Sequence, residues 1–178
     1  MKRNILISKI DHLIARPIML RFLSDYLQLY IVNEFPKSGG SWLSQILSDY
    51  LQIEFPQNKI PAFKTSLIHG HYLNLNNLNR STIIIRDGRD VMVSWYHHCY
   101  FINDKYNERL VNKMKTNFPY KNYSDVKNNL PKFIENHFQL KHPFGFSWKD
   151  FMISWKDKQD LLIRYEDLLL KPFETLHP

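Results

Sequence analysis

Hydrophobic residues along the chain fall into four short runs that predict buried β-strands. The runs span residues 29–35, 66–69, 81–86 and 160–165. The third run, Ser-Thr-Ile-Ile-Ile-Arg, is rich in β-branched residues and has little polar alternation, as is typical of a parallel strand covered on both faces. Amphipathic runs predict helices that begin near residues 42, 91, 126, 148 and 166.

The predicted strands and helices alternate along the chain. This alternation predicts an α/β fold with a mainly parallel sheet. Residues 1–178 are predicted to form a single domain, in which residues 1–28 are a helical extension with a break or kink near Pro17. In parallel sheets, ligands bind at the carboxyl ends of the strands. The residues that follow each strand are therefore the first candidates for a functional site.

Composition and charge narrow the class of protein. The chain has 178 residues, of which 44% are hydrophobic, so it is long enough to bury a core. The net charge of +7 favours an anionic partner, although a basic surface can also serve solubility alone. Cys99 is the only cysteine, which excludes an intrachain disulfide and favours a reducing compartment. We therefore predict a cytoplasmic location, with no signal peptide and no transmembrane segment.

One stretch between a strand and a helix has the features of an anion-binding loop. It is Glu34-Phe-Pro-Lys-Ser-Gly-Gly-Ser-Trp42. Adjacent glycines allow a sharp turn that points backbone N–H groups inward, and the start of the helix adds partial positive charge. Lys37 adds a full charge. The stretch predicts a phosphate or sulfate site, with an ordinary strand-to-helix turn as the alternative.

Candidate side chains follow the other predicted strands as well. Lys37, His69 or His71, Arg86 and Tyr165 all fall at carboxyl ends. A histidine at such a position can act as a general base towards a hydroxyl group, or it can be an ordinary polar loop residue. No carboxylate cage for a metal ion is evident, so no metal is expected.

A second anion site is predicted at the third strand. Arg86 can grip a phosphate with two hydrogen bonds, and Ser94 lies in the first turns of the following helix. Each residue also has an alternative interpretation. Arg86 can form an ion pair with an acidic neighbour, and Ser94 can be an ordinary exposed residue of the helix. Trp42 and Tyr165 can contact a nucleotide base, with packing in the core as their alternative.

Three segments, in order, resemble the sulfotransferases that use 3'-phosphoadenosine 5'-phosphosulfate (PAPS). Residues 35–42 resemble the 5'-phosphosulfate loop, residues 85–97 the 3'-phosphate segment, and residues 164–168 the Tyr-Glu-Asp element of that family. The resemblance implies a P-loop-type three-layer fold, in which helices flank a central, mainly parallel sheet.

The resemblance also implies a role for each matching residue. Lys37 would contact the transferring sulfuryl group and the bridging oxygen. The 5'-phosphate would be bound by Ser38, Gly39, Gly40 and Ser41. The 3'-phosphate would be held by Arg86 and Ser94, and adenine would be contacted by Trp42 and Tyr165.

The chain departs from the family pattern at three places. The catalytic histidine of the family usually lies in a Lys-Thr-His element, but here Lys-Thr is followed by Ser66. We expect His71 to be the base, with His69 as second choice. Gly40 replaces the first threonine of the loop. A glycine- and base-rich segment that completes the 3'-phosphate site in the family is not found after Pro172, so the domain is expected to be truncated at its C-terminus.

The function implied by the resemblance is transfer of a sulfuryl group from PAPS to a hydroxyl or amine. The acceptor would be a small molecule or a glycan, and no nucleic acid is expected as a partner. Two alternatives stay open. A P-loop nucleotide kinase shares the strand, loop and helix, but it would carry Gly-Lys-Ser/Thr at the end of the loop. The second alternative is a protein without catalysis, either an inactive nucleotide-binding fragment or a basic protein that binds acidic glycans.

Overall fold

The computed structural model describes residues 14–56, 64–74, 80–101, 107–139, 145–156, 158 and 160–176. The chain divides into two compact units. The first, here called the sheet unit, comprises Met1–Ile85 and Met152–Pro178. The second, here called the helical unit, comprises Arg86–Phe151.

All four strands of the described residues belong to the sheet unit. They are β1 (Tyr30–Glu34), β2 (Leu67–Gly70), β3 (Ser81–Ile85) and β4 (Leu161–Arg164). The strand order is β2-β1-β3-β4, and every pair is parallel. The predicted α/β class, with its central parallel sheet between helices, is confirmed.

Helices lie between β1 and β2 and between β3 and β4 in the chain, and others precede β1 or follow β4. In chain order they are α1 (Arg16–Ile18), a π-helical turn (Met19–Leu23), α2 (Gly40–Leu51), α3 (Gly88–Tyr100), α4 (Glu108–Asn117), α5 (Val126–Gln139), α6 (Trp148–Trp155), α7 (Tyr165–Leu170) and α8 (Pro172–Leu176). The predicted helices near residues 42, 91, 126, 148 and 166 are all present within three residues of their expected starts.

Neighbouring residues of a strand point to opposite faces of the sheet. At the centre of β1, residues on both faces are buried. Val32 packs with Leu43 of α2 and Leu168 of α7 in one buried cluster. Ile31, the residue before it, packs with Met19 of the π-helical turn and Leu29 in another. This two-sided burial explains why the sequence is continuously apolar at Ile31 and Val32 of β1.

Neighbouring residues of β4 test how much one face contributes to stability. Ile163 is 1% exposed, whereas Leu162 is 47% exposed. We expect Ile163→Ala to lower the free energy of unfolding by about 2–5 kcal/mol, because it removes buried methyl groups and leaves a cavity. Leu162→Ala is the matched control and should cost much less. Urea denaturation measures both, and similar losses would contradict the described packing.

The N-terminal extension is helical over a shorter range than predicted. Of residues 1–28, residues 1–13 lie outside the described part. Residues 24–28 form a turn rather than a helix, so the prediction of helix up to residue 28 is wrong there. Pro17 is the second residue of α1, and residues 14–15 directly before α1 are π-helical. The apolar spacing of this segment did not reveal where the helix ends.

The helical unit has a core of its own. Tyr96 and Tyr100 of α3 are fully buried and pack with Phe133 of α5. Asp87 caps α3 by accepting a hydrogen bond from the backbone N–H of Arg89 at 2.9 Å.

Within the described ranges, no helix has both the length and the apolar character needed to cross a membrane.

Candidate functional site

The predicted anion-binding loop joins β1 to α2. β1 ends at Glu34, and α2 begins at Gly40. The chain turns through two residues of positive φ, Lys37 at 76° and Gly39 at 101°. Gly39 suits this conformation because it lacks a β-carbon, whereas Lys37 adopts it at some cost. The strand, glycine turn and helix predicted from the sequence are therefore present, with the helix starting two residues earlier than expected.

Several of the loop N–H groups already donate hydrogen bonds within the chain. The amide of Ser38 donates to the carbonyl of Phe35 at 3.1 Å, and that of Trp42 donates to the carbonyl of Gly39 at 3.1 Å. The amide of Gly40 donates to Oε2 of Glu34 at 2.6 Å. The first turn of α2 thus already binds one carboxylate, which comes from the strand just before the loop.

The side chain of Ser38 offers a further polar group inside this loop. Ser38 is 1% exposed, and its hydroxyl oxygen has no hydrogen-bond partner among the described residues. A buried hydroxyl without a partner is costly. Together with Lys37 and the start of α2, it forms a polar environment that fits an anionic group. The Glu34 carboxylate bound at Gly40 opposes a further anion there.

Glu34 connects the loop to the candidate histidines. Its carboxylate is buried, and Oε1 lies 3.0 Å from Nε2 of His69 on β2. Burial alone would raise the pKa of Glu34. The hydrogen bond to His69, the charges of His69 and His71, and the amide of Gly40 outweigh it, so the net pKa is lowered. A charged Glu34 is therefore held at the base of the loop.

His71 also lies in this cluster, but it contacts Glu34 differently. Its Nδ1 is 3.2 Å from the backbone carbonyl oxygen of Glu34, and its ring centroid is 5.0 Å from that of His69. Asn33 exchanges two hydrogen bonds with the backbone of Tyr72, which fixes the chain just after His71. Both predicted candidates for the base are thus brought to the same place.

The same three side chains are spaced closely enough to hold one ion. One ligand atom from each of Glu34, His69 and His71 lies within 4.8 Å of the others. Two histidines and a carboxylate are a donor set that zinc uses in proteins. The hydrogen bond between Glu34 and His69 already accounts for their closeness.

The two residues predicted to contact a nucleotide base lie together beside the loop. They are Trp42 and Tyr165. Tyr165 begins α7 directly after β4, and its ring centroid lies 5.9 Å from that of Trp42 in an edge-on arrangement. Trp42 is 39% exposed, so it is not a core residue. A β-carbon placed at Gly39 would lie 2.5 Å from Cδ2 of Tyr165. Gly39 is therefore needed both for the turn and for the close approach of Tyr165.

The two residues predicted to hold the 3'-phosphate are in the helical unit. Arg86 follows β3 in the chain, and its side chain is 22% exposed. Its Nη2 lies 3.9 Å from the Asp90 carboxylate, at the edge of the ion-pair range, whereas Asp87 pairs with Arg89. Ser94 is half-buried on α3.

A cavity of about 330 Å³ lies in the helical unit beside the start of α3. Its lining is mostly apolar and consists of Asp87, Gly88, Arg89, Met92, Ile134, Phe138 and Trp148. The volume is in the range of small-molecule pockets. None of these residues was a predicted site residue, because they are spread over three separate segments of the chain.

Glu34 is a residue of the site for which the sequence predicted no function. The available signal was an acidic residue at the end of a predicted buried strand, where a charge needs a partner. A second signal was the glycine at position 40, where the resembling family has threonine.

The fold of the chain is similar to that of a solved structure. A search of curated proteins found no match. A crystal structure of mouse sulfotransferase SULT7A1 complexed with PAP is similar in fold, with a TM-score of 0.50 and 21% identity. The match covers 83% of this chain and 55% of that one, so the chain spans about half of the solved structure.

The comparison with family models shows the family of the chain as well as its fold. The model of the sulfotransferase domain matches residues 69–177, which is more than half of the chain. The matched range includes both candidate histidines, Arg86, Ser94 and Tyr165, and it begins after the loop at residues 35–42. This match favours the sulfotransferase interpretation over the kinase alternative. The chain belongs to the sulfotransferase domain family.

Proposed function

We propose that the protein transfers a sulfuryl group from PAPS to a hydroxyl or amine of a small molecule or glycan, in the cytoplasm. The observation that carries this proposal is the loop after β1. It brings Lys37, the buried Ser38 hydroxyl and the start of α2 to the edge of the sheet at which both histidines lie. Membership of the sulfotransferase domain family supports the same chemistry.

The step needs a base, a leaving-group contact and alignment. A histidine, His69 or His71, takes the proton of the acceptor as the acceptor atom forms its bond to sulfur. The bond between sulfur and the bridging oxygen breaks, and its electrons leave on the phosphate. Lys37 stabilises the negative charge that develops on that oxygen. Ser38, Gly39, Gly40 and Ser41 are proposed to contact the 5'-phosphate.

The nucleotide half of the donor is assigned to other residues. Arg86 and Ser94 are proposed to hold the 3'-phosphate, because a guanidinium group matches phosphate geometry with two parallel donors. Trp42 and Tyr165 are proposed to contact adenine. No metal ion takes part in the proposed step.

A second candidate function is nucleotide binding without catalysis. Glu34 favours it, because its carboxylate already accepts the hydrogen bond of the Gly40 amide that the 5'-phosphate would use. A negative charge buried there opposes a second anion. The two candidates share the nucleotide site and differ only in whether sulfuryl transfer occurs.

Calorimetric titration with adenosine 3',5'-bisphosphate tests the nucleotide site. We expect saturable binding, tighter than that of ATP and independent of magnesium. Arg86→Ala should weaken it about tenfold or more, since it removes a charge-assisted contact. Arg89→Ala is the matched control, because Arg89 pairs with Asp87 on the surface. Equal affinities of the two variants would count against the assignment of Arg86, and magnesium-dependent ATP binding would favour a kinase.

A further inference from the structure

Glu34 is held between two groups that the proposed function uses. One carboxylate oxygen contacts Nε2 of His69 at 3.0 Å, and the other accepts the Gly40 amide at 2.6 Å. Glu34 is 4% exposed and the His69 side chain 16% exposed, so water competes little with either bond. The carboxylate therefore links the histidine on β2 to the first residue of α2.

Gly40 leaves room for the Glu34–His69 pair because it has no side chain. A β-carbon placed there would lie 2.6 Å from Nε2 of His69 and 2.7 Å from Cδ of Glu34, distances that real side chains do not adopt. The resembling family carries threonine at this point of the loop. The glycine is thus explained by the Glu34–His69 pair, which occupies the space of the missing side chain.

We infer that Glu34 is a positioning residue, which orients His69 through the hydrogen bond to Nε2 and so makes His69, rather than His71, the general base. This inference rests on the proposed sulfuryl transfer. It reverses the order of preference that the sequence indicates. The carboxylate of Glu34 binds the ring of His69, whereas Nδ1 of His71 contacts the backbone carbonyl oxygen of Glu34.

The tautomer of His69 follows from the hydrogen bond. A carboxylate accepts, so Nε2 carries the hydrogen, and the lone pair that can take a proton is on Nδ1. Glu34 also favours the positive charge that the ring gains when Nδ1 takes the proton of the acceptor. Phe55 packs edge-on against the ring, with centroids 6.5 Å apart, which restricts its rotation further.

The test compares the 178-residue chain with Glu34→Gln. Nitrogen NMR of the histidine rings is expected to show the Nε2–H tautomer of His69 in the unchanged chain and a mixture of tautomers in the variant. With PAPS and an acceptor, Glu34→Gln should lower kcat at least about tenfold and leave KM nearly unchanged, because the base is misoriented after binding. Glu54→Gln is the matched control, since Glu54 pairs with Lys64 on the surface.

Four results would overturn the inference. The first is hydrogen on Nδ1 of His69 in the unchanged chain, a result that stands even if Glu34→Gln does not fold. The second is a Glu34→Gln variant with unaltered tautomer and kcat. The third is a larger loss of kcat in His71→Asn than in His69→Asn. The fourth is a one-to-one zinc complex that shifts both rings and is required for activity, which would make the cluster a metal site.

Failure of the proposed function has a different signature. The NMR measurement needs no substrate. The expected tautomer, without sulfuryl transfer by the unchanged chain to any acceptor, would reject the proposed function and leave the Glu34–His69 pair established.

Discussion

Lys37→Ala is expected to reduce sulfuryl transfer by at least about a hundredfold, because the variant loses the donor proposed to stabilise charge developing on the leaving oxygen. The fold should be little affected, since Lys37 lies in a turn and alanine accepts its φ of 76° about as poorly as lysine does. The loss should therefore appear in kcat of a protein with unchanged thermal stability. Initial rates with labelled PAPS measure it.

A lysine elsewhere in the sheet unit provides the control. Lys171 is exposed and pairs with Glu174 three residues later. Lys171→Ala removes the same charge from the chain without touching the loop, so its rate should stay close to that of the unchanged protein. Near-normal turnover by Lys37→Ala would reject the role proposed for Lys37.

Gly39→Ala is expected to have the largest effect on stability among changes in the loop. Alanine at a φ of 101° is strained, and the new β-carbon would lie 2.5 Å and 2.9 Å from two ring carbons of Tyr165. Backbone strain and overpacking together should cost about 3 kcal/mol in the free energy of unfolding. Chemical denaturation measures this cost.

Gly145 separates the two contributions. Its φ is also positive, at 85°, but a β-carbon there would meet nothing within 4 Å. Gly145→Ala should therefore show only the backbone strain and cost about 1 kcal/mol. If both variants lose the same stability, then the close approach of Tyr165 to the loop contributes nothing, and the described packing at Gly39 is wrong.

The sheet and the loop could be predicted because both are encoded locally. Strands buried on both faces need continuous apolar runs, so residues 81–85 stand out without knowledge of their neighbours. The turn needs positive φ and a charged residue ahead of a helix, and Pro-Lys-Ser-Gly-Gly-Ser supplies these within six positions. Parallel pairing then places the ends of all four strands at one edge.

The partner of the histidine could not be predicted, because it depends on contacts between residues far apart in the chain. Glu34 and His69 are 35 residues apart, and only the pairing of β1 with β2 brings them together. The choice between His69 and His71 has the same origin, since the two are nearly equivalent in sequence. The cavity of the helical unit likewise draws its lining from segments whose packing no local pattern encodes.

The central claim, that this chain catalyses sulfuryl transfer, is tested most directly by one measurement. The 178-residue protein is incubated with PAPS labelled in the sulfuryl group and a panel of hydroxyl and amine acceptors. We expect label to appear in at least one acceptor, with adenosine 3',5'-bisphosphate released in equal amount. Tight binding of adenosine 3',5'-bisphosphate without label in any acceptor would contradict the claim and favour a nucleotide-binding protein without catalysis.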